Sequence, residues 1–253
     1  MKKQLTITDL TTMHGDRVCI FGVDADGKGI RPDIPPTGIR EGYLQDSRGR
    51  RIVRPFAVVE LDFVRSRPKP PHTEDWEINP NCAPRLIRYL SEDESRALLE
   101  RILDESIRSI FGADIHDNRY VNEGEGNRSL GTVKADKVLS VRCVQREGDK
   151  HDYRTGFSDA TGETYDLPIT DLAFREYCDR QKLMRLTRGV ICAGLRRRLS
   201  RGHVFIRVGL ARPFAKMYNR CYLQVCAIHA FPGYAQSSEG AGDSEVQGDG
   251  RQA

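Results

Sequence analysis

The sequence lacks several features that would place it in a common class at once. No apolar run approaches about 18 residues, the length that a membrane-spanning helix needs, so we expect no transmembrane segment. The start, MKKQLTITDL, is basic but contains no apolar run, so we expect no signal peptide. The seven cysteines form no CxxC pair, which favours free thiols in a reducing cytosol. These absences predict a cytoplasmic protein that has no membrane partner.

The chain also lacks the short motifs of common enzymes. It has no nucleophile elbow, no phosphate loop and no dinucleotide-binding fingerprint. The segment DADGKG at residues 24–29 begins like a calcium loop, but Lys28 and Pro35 stand where that loop needs oxygen ligands. It therefore predicts a hairpin turn. We expect no cofactor, no metal site and, in the preferred interpretation, no enzymatic activity.

Strand patterns occupy both ends of the sequence. Val59, Leu61 and Phe63 alternate with acidic residues, and Val204, Ile206 and Val208 alternate with Phe205 and Arg207, as in half-buried strands. Further apolar segments typical of strands are residues 18–21, 138–143 and 222–228. Between the two ends, a loop is predicted from Gly112 to Gly131, where the chain is polar and rich in glycine.

Two helices are indicated by capping residues. Ser91 and Glu94 form a capping box, and apolar residues then recur at helical spacing as far as Phe111, which predicts one helix over residues 91–111. Thr170 and Asp171 predict the start of a second helix over residues 172–183. After Tyr234 the composition changes to Gly, Ser, Gln, Glu and Asp, which predicts a disordered tail.

One short stretch, RPKPPHTEDWEINP at residues 67–80, admits two interpretations. A metal-dependent hydrolase could use His72 as a ligand, with Glu74 and Asp75 as further ligand or base. A structural strap would use the prolines for stiffness, Trp76 for burial, and His72 and Glu74 for hydrogen bonds to backbone groups. The spacing matches no compact metal motif. We therefore favour a strap that fastens a first β unit to a helical connector.

The distribution of charge is the clearest functional signal. From Arg180 to Ser238 there is no Asp or Glu, while the same span holds twelve Lys or Arg residues. Such an uncompensated run favours a polyanionic partner, and the aromatic residues within it suit the stacking of nucleic-acid bases. We expect one continuous cationic surface on which phosphates contact Arg196, Arg197, Arg198, Arg201, Arg207 and Arg212. Phe214 and Tyr218 are the predicted stacking residues.

Three groups of segments resemble one bacterial protein family. The first is residues 7–12 (ITDLTT) with 18–24 (VCIFGVD) and 30–32 (IRP), and the second is residues 70–76 (PPHTEDW). The third is residues 206–213 (IRVGLARP) with 222–225 (YLQV) and 228–234 (IHAFPGY). Their order and spacing resemble the dual OB domain family, with Tyr222 at a position where a Trp is frequent. The resemblance implies two OB-like barrels that bind nucleic acid and often occur near bacterial defence genes, without catalytic residues.

Together these observations predict a mainly β protein with some α structure (α+β). Two OB-like β barrels, residues 1–80 and 131–234, are joined by a helical connector and loop over residues 81–130, and residues 235–253 form the tail. The predicted function is a non-enzymatic nucleic-acid-binding module, with RNA and DNA both left open. The alternatives are the hydrolase centred on His72, Glu74 and Asp75, and an adaptor that binds a partner protein through the 91–111 helix.

Overall fold

The computed structural model describes residues 1–146, 151–213 and 218–234, which form two β sheets with short helices. The strands of the first sheet are β1 (Lys2–Thr12), β2 (Arg17–Val23), β3 (Gly29–Asp33), β4 (Ile39–Arg40), β5 (Ala57–Ser66), β6 (Asp75–Ile78) and β7 (Arg85–Tyr89). The strands of the second are β8 (Tyr120–Asn122), β9 (Leu130–Lys134), β10 (Lys137–Gln145), β11 (His151–Ser158), β12 (Thr164–Ile169), β13 (His203–Leu210) and β14 (Arg220–Phe231). The predicted disordered tail lies outside the described residues.

The first sheet closes on itself into a barrel. Its strands follow the order β1-β2-β3-β6-β5, and β1 pairs with β5 as well as with β2. The long strand β1 does both, because its first half pairs with β5 up to Thr6 and its second half pairs with β2 from Thr6 onward. Leu5, Ile20 and Val59 point into the buried interior of this barrel. Strand β7 adds to the outside of β5, and a short 3₁₀ helix, Glu41–Leu44, follows β4.

The second sheet has the corresponding order, β10-β11-β12-β14-β13-β9. Only Ala135 and Asp136 separate β9 from β10, and both continue the pairing. The N–H of Ala135 donates to the carbonyl of Val204, and the N–H of Asp136 donates to that of Ser158. The sheet thus returns on itself through one interrupted strand, as the first does through β1. In each sheet one pair is parallel, β3 with β6 and β12 with β14. The predicted mainly β fold is confirmed.

The single helix predicted over residues 91–111 is wrong in its extent. The structure has α1 (Glu92–Arg101) and a separate short α2 (Ile107–Ile110). The capping box at Ser91 is confirmed. The helix is interrupted because Asp104 joins β9: its N–H donates to the carbonyl of Thr132 at 2.7 Å, and its carboxylate accepts from the N–H of Thr132 at 3.0 Å. Within the predicted 112–131 loop, the structure also contains the short strand β8.

The second barrel carries two helices between β12 and β13. Asp171 caps α3 (Leu172–Leu183) as predicted, because its side chain accepts a hydrogen bond from the N–H of Phe174. The next helix, α4 (Arg188–Leu199), was not predicted, since its two glycines and its β-branched residues have low helix propensity. It forms because its buried Ile191 and Leu195 pack into the core of the second barrel. Within the described ranges, every helix is too short or too polar to span a bilayer.

A buried ion pair joins the two barrels. The Nε of Arg207, on β13, lies 3.0 Å from Oδ1 and 3.1 Å from Oδ2 of Asp9, on β1. Arg207 also donates from Nη1 to Oγ1 of Thr132 at 2.5 Å. The two charged side chains are 3% and 1% exposed. Burial raises the pKa of Asp9, and the charge of Arg207 opposes that rise. Beside this pair, Nε2 of His229 donates to the carbonyl of Thr8 at 2.9 Å.

This contact corrects the prediction for β13. The strand itself is confirmed, but residues 204–210 are buried on both faces instead of one. One face packs within the second barrel, and the other is covered by the first barrel at Arg207 and by α1 at Phe205. Arg207 is therefore not placed to contact phosphates, because its guanidinium is committed to Asp9 inside the protein.

Replacing Arg207 by alanine should lower the free energy of unfolding by about 3–5 kcal/mol, because the Asp9 carboxylate would stay buried without its partner. Urea unfolding followed by circular dichroism measures this change. The exposed Arg201→Ala variant is the matched control and should change stability by less than about 0.5 kcal/mol. Similar small effects of the two substitutions would show that the pair does not hold the barrels together.

Candidate functional site

The stretch that admitted two interpretations connects β5 to β6 and docks on the second barrel. Within it, Nε2 of His72 donates to the carbonyl of Leu210, at the end of β13, over 3.1 Å. His72 is almost fully buried. Burial, together with the nearby charges of Arg31 and Arg212, lowers the pKa of His72 to about 3. The ring is therefore neutral at physiological pH, and its N–H fastens the two barrels together.

The neighbouring side chains make contacts of the same kind. The Glu74 carboxylate accepts from the N–H of Ser129 at 2.6 Å and from its hydroxyl at 3.1 Å. Thr73 donates to the carbonyl of Asn127, and Lys69 forms an ion pair with Glu123 at 2.7 Å. All of these partners lie in the chain segment that leads from β8 into β9. The stretch thus acts as an inter-barrel strap, and we use that name for residues 67–75.

The strap does not assemble a metal-ligand group in the described part of the chain. His72, Glu74 and Asp75 are adjacent in sequence, but each is directed to a different protein partner. Across residues 1–146, 151–213 and 218–234, no cluster of three or more His, Cys, Asp or Glu side chains could hold a metal ion. The geometry therefore gives these three residues structural contacts. The strap was predicted to fasten the first β unit to the helical connector, whereas its His72 bonds to β13 of the second barrel.

Asp75, at the end of the strap, is shared by two arginines. Arg31 approaches Oδ1 with Nε at 2.6 Å and with Nη2 at 2.5 Å, and Arg212 approaches Oδ2 with Nη2 at 2.6 Å. Nη2 of Arg31 is close to the carboxylate but is not aligned for a hydrogen bond with it, and it is buried. Arg31 is almost fully buried, whereas the side chain of Arg212 is 42% exposed. Two guanidinium groups therefore face one carboxylate.

These arginines line a cavity of about 730 Å³ between the barrels, which we call the inter-barrel cavity. One wall comes from the first barrel and consists of the β1–β2 turn, β2, β3 and the strap. The opposite wall comes from the second barrel and includes the end of β13 and part of β14. Residues that define the two walls are His14, Arg17, Phe21, Arg31, Arg67, Lys69 and Trp76 on one side, and Leu210, Arg212, Gln224 and Cys226 on the other.

The first wall is the surface that five-stranded Greek-key barrels use for ligands. Such barrels bind oligonucleotides and oligosaccharides on the face of their second and third strands, between the loops that join strands one to two and four to five. In the first barrel these strands are β2 and β3, and the loops are residues 13–16 and the strap. In the cavity wall, Met13 comes from this turn, Arg31 comes from β3 and Arg67 comes from the strap.

The charge of the inter-barrel cavity is positive. The charged residues that line it are Arg17, Arg31, Arg67, Lys69, Arg212, Asp9, Asp33 and Asp75. Asp9 is neutralised by Arg207, and Lys69 by Glu123. The four remaining arginines outnumber Asp33 and Asp75, and Glu74 behind the wall offsets only part of the difference. Anionic ligands are therefore favoured in the cavity.

The six arginines predicted to form one surface lie at three separate places. Arg196, Arg197 and Arg201 are exposed at the end of α4 and in the turn after it. Arg198 donates to the hydroxyl of Tyr177 at 3.0 Å and to the carbonyl of Tyr234 at 2.8 Å. Arg207 is buried, and Arg212 lines the cavity. The length of β13, roughly 25 Å at about 3.3 Å per residue, separates the α4 group from Arg212.

The two predicted stacking residues, Phe214 and Tyr218, stand between β13 and β14 in the sequence. Tyr218 is 83% exposed, and the guanidinium of Arg220 lies 5.4 Å from the centre of its ring. Phe214 lies outside the described residues. The structure therefore places one of these rings, Tyr218, on the surface.

The cations that the first barrel contributes were not predicted from the sequence. Arg17 and Arg31 are isolated in the sequence, each near an acidic residue, and Arg67 and Lys69 stand with Arg65 in a short basic stretch that proline interrupts. A signal was nevertheless present in the resemblance itself. Arg31 belongs to the IRP segment, and Arg67 and Lys69 precede the PPHTEDW segment that resembles the family. In a barrel of this type, those segments are the third strand and a ligand-binding loop.

Comparison with known proteins agrees with this geometry. The family model described as dual OB-containing domain matches residues 4–228, which is most of the chain. The resemblance stated from sequence segments is thereby confirmed. No curated protein and no solved structure matches the chain.

The buried histidines should make the protein less stable in mild acid. Burial lowers the pKa of His72 and of His229 to about 3, while an unfolded histidine titrates near pH 6.5. Between these values the unfolded state binds protons that the folded state does not. Each histidine should therefore cost about 1.4 kcal/mol of stability per pH unit below about 6.5.

Urea unfolding of the wild type and of His72→Gln, from about pH 7 to about pH 5, measures this effect. The free energy of unfolding of the variant should fall less steeply with acidification. Equal slopes would contradict a neutral, buried His72 in the folded protein.

Proposed function

We propose that this chain, which belongs to the dual OB-containing domain family, is a nucleic-acid-binding module that holds single strands in the inter-barrel cavity. The observation that carries the proposal is the position of the positive charge. It lies on the ligand face of the first barrel, between the two loops that such barrels use for recognition. Membership of an OB-fold family is consistent with nucleic-acid binding. The cavity supplies the positive charge that binding of phosphates needs.

Phosphates would be bound by the accessible cations of the cavity. Arg67 is exposed on the strap, Arg17 is half-buried on β2, and Arg212 reaches from the second barrel. Their positions on two opposite walls suit a flexible chain that lies between them. Long basic side chains that follow a backbone are the usual means of binding single strands, and they make affinity dependent on salt.

One aromatic ring in the same cavity, that of Trp76, offers a surface for a base. Trp76, on β6, is half-buried and lines the cavity, and its ring also packs edge-on against Phe63. Phe21, on β2, also lines the cavity, but its ring is buried in the core beside Arg207, so Trp76 is the proposed stacking residue of the cavity. Stacking on such rings contributes about 1–3 kcal/mol per base and does not depend strongly on base identity. We therefore expect weak sequence preference.

The arginines of α4 form a second proposed contact surface. Arg196, Arg197 and Arg201 are exposed and close in sequence, as the charge pattern predicted. Because they lie far from the cavity along β13, only a strand of several nucleotides could reach both. Tyr218 is proposed as a ring that contacts bases outside the cavity.

The alternatives have less support. The hydrolase would need His72, Glu74 and Asp75, whose side chains are already bonded to Leu210, Ser129 and the two arginines. The adaptor would need a free apolar face on the helical connector. The apolar face of α1 is packed inside, with Leu98 against a cluster from both barrels and Leu99 against Phe205 and Phe231. A role in bacterial defence and a cytoplasmic location stay predictions that rest on the sequence alone.

Removing one cavity cation should weaken binding of single strands. Arg67→Ala removes an exposed guanidinium, so the affinity for a labelled oligonucleotide should fall. The slope of log affinity against log salt concentration should become shallower by about 0.7. Fluorescence anisotropy titrations with RNA, single-stranded DNA and duplex, each at several salt concentrations, measure both quantities. Arg96→Ala, on the outer side of α1, removes the same charge elsewhere and is the control.

Three outcomes separate the possible surfaces. Loss of slope in Arg67→Ala but not in Arg96→Ala supports the cavity. A wild-type protein that binds no strand, or binds without any salt dependence, excludes the proposed function. If only a combined Arg196→Ala, Arg197→Ala and Arg201→Ala variant loses affinity, binding occurs on α4 and the cavity is not the site.

A further inference from the structure

The inter-barrel cavity differs from an open groove because contacts between the barrels close one side of it. Asp9, Ser129 and Leu210 all line the cavity, and all three belong to the junction: Asp9 is paired with Arg207, Ser129 with Glu74, and Leu210 with His72. A strand that follows β2 and β3 inward therefore meets the junction. This geometry suits the end of a strand better than its middle.

The Arg31–Asp75–Arg212 cluster lies in the wall of this cavity. Its two guanidinium groups share a single carboxylate, and Nη2 of Arg31 has no aligned acceptor among the described residues. The nearby Glu74 carboxylate adds negative charge, but its hydrogen bonds go to Ser129. Arg212 is partly exposed, and a guanidinium has five N–H donors, of which one ion pair uses a minority. The cluster is thus able to bind a further anion.

A phosphate monoester matches this cluster better than the phosphodiester inside a strand. A monoester carries about 1.5 to 2 negative charges near pH 7, whereas an internal diester carries one, and it presents three acceptor oxygens. Arginine binds such groups with paired N–H donors. The cavity volume of about 730 Å³ lies within the range of sites for small molecules, roughly 300–1,000 Å³, and so suits one nucleotide and its immediate neighbour.

We propose that the inter-barrel cavity receives the phosphorylated end of a nucleic-acid strand, with Arg31 and Arg212 binding the terminal phosphate monoester. This rests on the proposed function, since it specifies which part of the strand enters the cavity. Arg17 and Arg67, nearer the outside, bind the following phosphates. A free nucleoside monophosphate offers the same chemical group and competes for the same place.

The test compares strands that differ only at their ends. The probes are oligonucleotides of about 12 nucleotides with an internal fluorophore and a 5′-phosphate, a 3′-phosphate, or hydroxyl groups at both ends. One phosphorylated form should bind at least about tenfold more tightly than the hydroxyl form. Unlabelled nucleoside monophosphate should displace the phosphorylated strand and have a smaller effect on the hydroxyl strand.

Substitution of Arg212 tests the assignment within the cavity. Arg212→Ala should remove most of the preference for the phosphorylated end and leave Asp75 paired with Arg31. Arg212→Lys, which keeps the charge but loses the paired donors, should retain part of it. Thermal unfolding shows whether each variant is folded, and Arg96→Ala is the control that should keep the full preference. If Arg212→Ala does not fold, the same comparison is made with Arg212→Lys alone.

The outcomes distinguish this inference from the proposed function. Equal, salt-dependent binding of all three strands overturns the end preference but leaves single-strand binding in place. A preference that survives both Arg212 variants overturns the assignment to this cluster. Binding of the free monophosphate without binding of any strand supports the phosphate site and excludes the wider function. Binding of neither excludes both.

Discussion

The buried ion pair between Asp9 and Arg207 is the contact on which the rest of the structure depends. It joins residues that are 198 positions apart and fixes β1 of one barrel against β13 of the other. Both groups are almost fully buried, and Nη2 of Arg207 has no hydrogen-bond partner among the described residues. Separating the barrels would leave each charge without its partner, so the pair favours this one arrangement of the barrels. That arrangement creates the inter-barrel cavity, because neither barrel alone has both of its walls.

The strap serves this arrangement and the candidate site at once. Its inner residues, His72 and Glu74, bond to the second barrel, while its outer residues, Arg67 and Lys69, line the cavity. A loop that is fixed at one end and exposed at the other can hold charged side chains in place without burying them. The stretch that first suggested catalysis thus contributes to binding by positioning, and its buried polar groups are explained by the junction.

Sequence patterns predicted most of the local structure and little of the contact between barrels. The caps at Ser91 and Asp171 were correctly found, because capping depends on neighbouring residues alone. The interruption at Asp104 was missed, since it depends on a partner strand that is distant in sequence. Arg207 was assigned to the surface for the same reason. Alternation shows that its side chain points away from the core of its own barrel, but it does not show that the other barrel covers that face.

The central claim, that single strands bind between the barrels, is tested most directly by photocrosslinking. A strand with photoreactive bases is irradiated in complex with the full chain, and the crosslinked peptides are identified by mass spectrometry. The account predicts crosslinks in the β1–β2 turn, β2, and the segment from the strap to Trp76, together with peptides around Arg212. Crosslinks confined to α4 and the turn after it, with none in the first barrel, would contradict it.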